Sequence, residues 1–105
     1  MYSLTDAAMI QLGQIGSAYL DLDASTFTPS DGNVVVAITA LTDCTFDTLT
    51  AEGGTGNYIN TAGAGAGGDT FSSSDTIPKG VTIYGRWTSV SVNNNAEKCI
   101  CYVGP

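Results

Sequence analysis

The run from Val81 to Val92 alternates in a way that commits it to an extended conformation. Val81, Ile83, Gly85 and Trp87 fall on one face, and Thr82, Tyr84, Arg86 and Thr88 on the other. That is the period of a strand with one face on a core; a helix would scatter the same residues around its circumference. Asp75-Thr76-Ile77-Pro78-Lys79-Gly80 leads into it as a turn, with Pro presetting φ and Gly completing the reversal. After it, Asn93-Asn94-Asn95-Ala96 can reverse the chain because Asn tolerates positive φ, so Lys98 to Val103 is expected to return as a C-terminal hairpin. Gly85 in mid-strand marks a bulge or a partner packed closely over it.

The same logic runs upstream. Val34 to Leu41 is β-branched and almost continuously apolar, which predicts a central strand covered on both faces. In Cys44 to Ala51, Phe46 and Leu49 cannot share a strict period-2 face, which predicts a bulge near Asp47. Tyr19 to Asp23 alternates with Leu20 and Leu22 on one side, and Thr28-Pro29-Ser30-Asp31-Gly32-Asn33 reads as a turn. Gly53 to Gly68 holds seven glycines around Asn57-Tyr58-Ile59-Asn60 and is too poor in side chains for a core strand. Roughly six to eight short strands with turns at this spacing predict an all-β fold, a single β-sandwich or jelly-roll-like domain over residues 17–105. Residues 1–16 are expected to form a short N-terminal arm or a helical turn: Ser3 with Asp6 is a helix-start signal, and Gly13 and Gly16 would end such a helix.

Charge narrows the partners. Ten acids against three bases give a net charge of −7, and Lys79, Arg86 and Lys98 are too scattered to track a phosphate backbone or an anionic bilayer. Neither nucleic acid nor membrane is therefore expected as a partner. The longest apolar run, Val34 to Leu41, is too short to span a bilayer, and the first residues show no basic and continuously apolar signal segment. Only 12% of residues are charged, about half the usual ~25%, and Thr, Ser, Asn and Gly take their place. Little charge repulsion holds such surfaces apart, which favours assembly.

Catalytic chemistry is hard to find. There is no histidine, which removes the usual activators of Ser and Cys nucleophiles and the commonest zinc ligand. Cys44, Cys99 and Cys101 offer three thiols and no fourth ligand, and are expected to be small core hydrophobes. Asp21 and Asp23 share a face as a glycosidase pair would, but their strand positions suit a solvated outer surface, and neither acid nor base is backed by a stabiliser. Asp31-Gly32-Asn33 resembles a cation loop less than a turn. The glycine-rich region lacks the Lys and Ser/Thr of a phosphate loop. No cofactor, metal or enzymatic activity is expected. Trp87 is expected in the core, with Tyr84 on the opposite face as a candidate surface anchor.

The stretch Thr76-Ile77-Pro78-Lys79-Gly80-Val81-Thr82-Ile83-Tyr84-Gly85-Arg86-Trp87-Thr88-Ser89, with the chain end at Tyr102-Val103-Gly104, resembles small virion structural proteins of marine tailed phages, particularly phages of cyanobacteria. Phe27-Thr28-Pro29, Val34-Val35-Val36-Ala37-Ile38 and Thr45-Phe46-Asp47-Thr48-Leu49-Thr50 are similar in order and spacing, so the resemblance covers residues 18–105. It implies a capsid decoration (cement) protein on the outer surface of the virion, assembled in the host cytoplasm. Such a protein is commonly a trimeric β-sandwich bound to the major capsid protein. The contact residues expected are Leu4, Met9, Ile10 and Leu12 in the arm and Tyr58 and Ile59 in the glycine-rich loop. The alternative is a tail or fibre component that binds carbohydrate through Trp87 or Tyr84.

Overall fold

The alternating run from Val81 becomes a strand over Thr82–Val92. The computed structural model describes residues 15–21, 26–54 and 69–105, and among them there is no helix. The strands are β1 (Gly16–Leu20), β2 (Val34–Ala40), β3 (Phe46–Ala51), β4 (Thr82–Val92) and β5 (Cys99–Gly104). They form one antiparallel sheet in the order β1-β5-β2-β4-β3, with β1 and β3 at its edges. β2 takes the central place that its apolar composition requires, with Val35, Ile38 and Ala40 buried on one face and Val34 and Ala37 buried on the other.

Three bulges decide which residues reach the core. Against β4, Asp47 is the extra residue of β3, since Phe46 opposes Val92 and Thr48 opposes Ser91. The parity shift brings Phe46, Leu49 and Ala51 to one face, all fully buried, as expected from the spacing of Phe46 and Leu49. Thr88 is the extra residue of β4, because Thr50 opposes Ser89 while Ala51 opposes Trp87; Trp87, Val90 and Val92 then share the core side. Val36 is extra in β2 against β5, which keeps Val35 and Ile38 on one face. The β2–β4 ladder also steps here, and Gly85 lies in that step between Tyr84 and Trp87.

Bulges raise local twist, and the connections show its result. β4 pairs with β2 over its first half and with β3 over its second. Residues 41–45 alone join β2 to β3, and residues 93–98 alone join β4 to β5. Six residues reach only about 20 Å, so the far half of β4 must curl back across the core for Val92 to connect with Cys99. The core is thus wrapped by one curled, unclosed sheet, with Cys44, Ile77, Phe27 and Phe71 packed in from connecting segments. Single bridges, Phe27 with Val90 and Cys44 with Ile77, tie those segments down.

The expected C-terminal hairpin is not formed. β4 and β5 each lie antiparallel to β2, one on either side of it, so they run parallel to each other and the Asn-rich segment crosses from one to the other. The two expected turns do form. Asn33 N–H donates to Ser30 O at 2.9 Å around Gly32, and Val81 N–H donates to Pro78 O at 3.1 Å around Gly80, with both glycines at positive φ. Cys44, Cys99 and Cys101 are free thiols buried in the core, as their spacing suggested.

Candidate functional site

The sheet has a face turned away from the core, and the pairing registers give its composition. One row runs Tyr19, Ile100, Thr39, Thr82 across β1, β5, β2 and β4; the next runs Ser17, Tyr102, Ala37, Tyr84. None of these eight residues is charged. Tyr19 and Tyr84 are among the most exposed large side chains described, at 55% and 59%. Exposed Leu41 lies beyond the end of β2.

Between β4 and β5 this face dips into a shallow cavity of about 260 Å³, lined by Ala37, Thr39, Thr82, Tyr84 and Tyr102. Its shape follows from the register. Tyr84 and Tyr102 both oppose Ala37, one from each neighbouring strand, so the two tyrosines stand about 10 Å apart at their backbones with a methyl between them. Ala37 lies between them and is only 1% exposed. Thr39 and Thr82, one row along, hydrogen-bond through their hydroxyls at 2.8 Å. One hydroxyl hydrogen is used in that bond, which leaves the pair one free donor and several free lone pairs.

The charges lie around this centre. Arg86, next along that face of β4, forms a two-pronged ion pair with Glu52, Nε to Oε1 at 2.7 Å and Nη2 to Oε2 at 3.2 Å, and its Nη1 donates to Pro105 O at 3.2 Å. The guanidinium holds the Glu52 carboxyl below its ordinary range, and Glu52 raises Arg86 in turn. The pair is therefore electrically closed.

A second polar cluster fixes the crossover. Glu97 is 6% exposed and its carboxylate accepts from Thr45 N–H at 2.7 Å, Thr45 Oγ1 at 2.7 Å, Asn93 N–H at 3.0 Å and Asn94 N–H at 2.9 Å. Burial pushes this carboxyl up, and the donors from Thr45, Asn94 and Asn93 together outweigh burial, so it sits below its ordinary range. Every acceptor site faces protein donors, so the cluster has the geometry of a structural clasp and no room for a substrate.

The thiols have no catalytic setting either. The single hydrogen of the Cys44 thiol has two acceptors in reach, Lys98 O at 3.2 Å and Thr42 O at 3.3 Å, and burial pushes the thiol up. Cys101 is raised further, by its hydrogen bond with Cys99 and by burial. A thiol held protonated is a poor nucleophile and a poor metal ligand. No group of three or more His, Cys, Asp or Glu is placed to hold a metal among the described residues.

The expected contact residues Leu4, Met9, Ile10, Leu12, Tyr58 and Ile59 lie outside the described residues, as does Asp23. Trp87 is fully buried, as expected, and Tyr84 is the exposed partner on the opposite face. Reasoning from sequence missed Thr39, Thr82 and Tyr102, although the alternation Cys99-Ile100-Cys101-Tyr102 already placed Tyr102 on the face opposite the thiols. It also missed Glu97, because nothing local marks a glutamate whose main partner is Thr45.

No protein-family model, curated protein or solved structure matches this chain. The functional reading therefore rests on the residues.

Proposed function

We propose that this chain is a non-catalytic structural subunit of a virus particle, a capsid decoration protein that docks on the major capsid protein as a homo-oligomer, a trimer in the reading the resemblance implies. The observation that carries the reading is how the chain enters the fold. Ile15, which leads into β1, is 53% exposed, and among the described residues the core cluster takes up the chain from Ala18 and Leu20. An edge strand whose entry leaves Ile15 and Tyr19 exposed is suited to packing on a neighbour. The scarcity of surface charge and the edge position of β1 support the same use. In this reading the curled sheet acts as a sandwich-type domain, its far half serving as the second layer.

The test is decoration of native particles by full-length protein and by a variant lacking Met1 to Leu12, read by co-sedimentation and by cryo-electron microscopy. The expected result is full-length protein on the outer shell and loss of binding by the truncated protein, with its β circular dichroism retained. Wild-type occupancy by the truncated protein, or copies confined to the tail, would refute the proposal.

A second reading, a tail or fibre component that binds carbohydrate, is favoured by one observation: Tyr84 stands exposed over a shallow groove. Burial of Trp87 leaves Tyr84 as the sole survivor of its two expected anchors.

A further inference from the structure

We propose that the groove between Tyr84 and Tyr102 is a binding site for a single neutral sugar ring. The inference does not depend on where the chain sits in a particle, since the five described lining residues all belong to one copy.

Charge selects the class of ligand first. The protein carries a net charge of −7, yet the five described lining residues are uncharged, and the nearest cation on the same face of β4, Arg86, is already closed by Glu52. An anionic ligand finds no base among the described lining residues, and a cationic one finds no carboxylate among them. A neutral ligand suffers neither handicap.

Shape and hydrogen bonding narrow the class further. At about 260 Å³ the groove is smaller than the roughly 300–1,000 Å³ typical of drug-sized ligands, which suits one ring better than an extended chain. Tyr84 and Tyr102 line it from the two strands that flank Ala37, and a tyrosine ring offers flat apolar surface with a hydroxyl at its end. A sugar ring presents the complementary pattern, C–H groups on its faces and hydroxyls around its edge. The Thr39–Thr82 pair then supplies donor and acceptor capacity side by side, the match for two adjacent ring hydroxyls. A polyproline segment would use the tyrosines but leave both threonine hydroxyls without a role, and so fits less of the site.

The test uses the isotope-labelled full-length chain and follows amide shifts during titration with lactose, maltose and cellobiose, with sialyllactose as the anionic comparison and a proline-rich decapeptide as the rival ligand. The expected result is saturable movement of Ala37, Thr39, Thr82, Tyr84 and Tyr102 with at least one neutral disaccharide, with affinity on the order of 1 mM. Tyr84→Ala should weaken binding roughly tenfold and Tyr84→Phe only slightly, because the stacking surface is what is removed. Thr39→Val should weaken it without altering the fold. Tyr84 is exposed, so its variants should keep the wild-type spectrum elsewhere. No saturable shift with any neutral disaccharide would overturn the proposal. So would shifts produced only by sialyllactose or only by the peptide, or movement of the same residues with protein concentration alone, which would make the face a contact between copies. Failure of particle decoration leaves this outcome untouched, and the two proposals fail separately.

Discussion

Replacing Glu97 by Gln removes a negative charge that four groups within 3.0 Å point at. Glutamine keeps one carbonyl oxygen and turns the other position into an NH2 donor. Whichever way the amide is placed, it confronts either the two donors of Thr45 or the backbone N–H groups of Asn93 and Asn94 with another donor. Hydrogen bonds to a charged group contribute about 1.5–3 kcal/mol each and do not add, so losing two of them and leaving donors unpaired should cost roughly 3 kcal/mol. That is a large part of the 5–15 kcal/mol that holds a typical domain together, and corresponds to about 10–15 °C in melting temperature for a domain of this size. Urea unfolding followed by the fluorescence of buried Trp87 measures it directly. A loss below about 1 kcal/mol would refute the clasp, because it would mean that solvent takes over those donors at little cost.

The pH dependence follows from the same carboxylate. Its folded-state affinity for a proton is lower than in the unfolded chain, so the unfolded state binds the proton first as pH falls. The clasp is therefore fully effective above the ordinary carboxylate range and is lost as pH drops through the folded value. Wild-type stability should fall below about pH 5, and the Glu97→Gln variant should show a flatter profile there.

Two further outcomes test the fold. Gly80→Ala has open space around the new methyl, yet φ is 84° there, so it should lose about 1–2 kcal/mol through backbone conformation alone, seen as a lower urea midpoint with unchanged slope. The buried, protonated thiols of Cys44 and Cys101, together with buried Cys99, should resist Ellman's reagent in the native protein and all react in denaturant; prompt modification at neutral pH would contradict their burial.

Much of this protein was set by local patterning. Period-2 alternation in β4, the β-branched run of β2, the offset between Phe46 and Leu49, and the turn chemistry around Gly32 and Gly80 all act within a few residues, where backbone sterics and side-chain direction suffice. The same short-range reasoning placed Trp87 inward and Tyr84 outward. Strand order was another matter. Six residues after β4 read as a reversal, but the burial of β2 on both of its faces was better served between β4 and β5, so the segment crosses over instead of turning back. Equally, Thr39 meets Thr82 across 43 positions of sequence and Thr45 meets Glu97 across 52. Local pattern says which face a side chain takes; only the packing of the whole sheet decides which neighbour it finds there, and the groove and the clasp are both made of such neighbours.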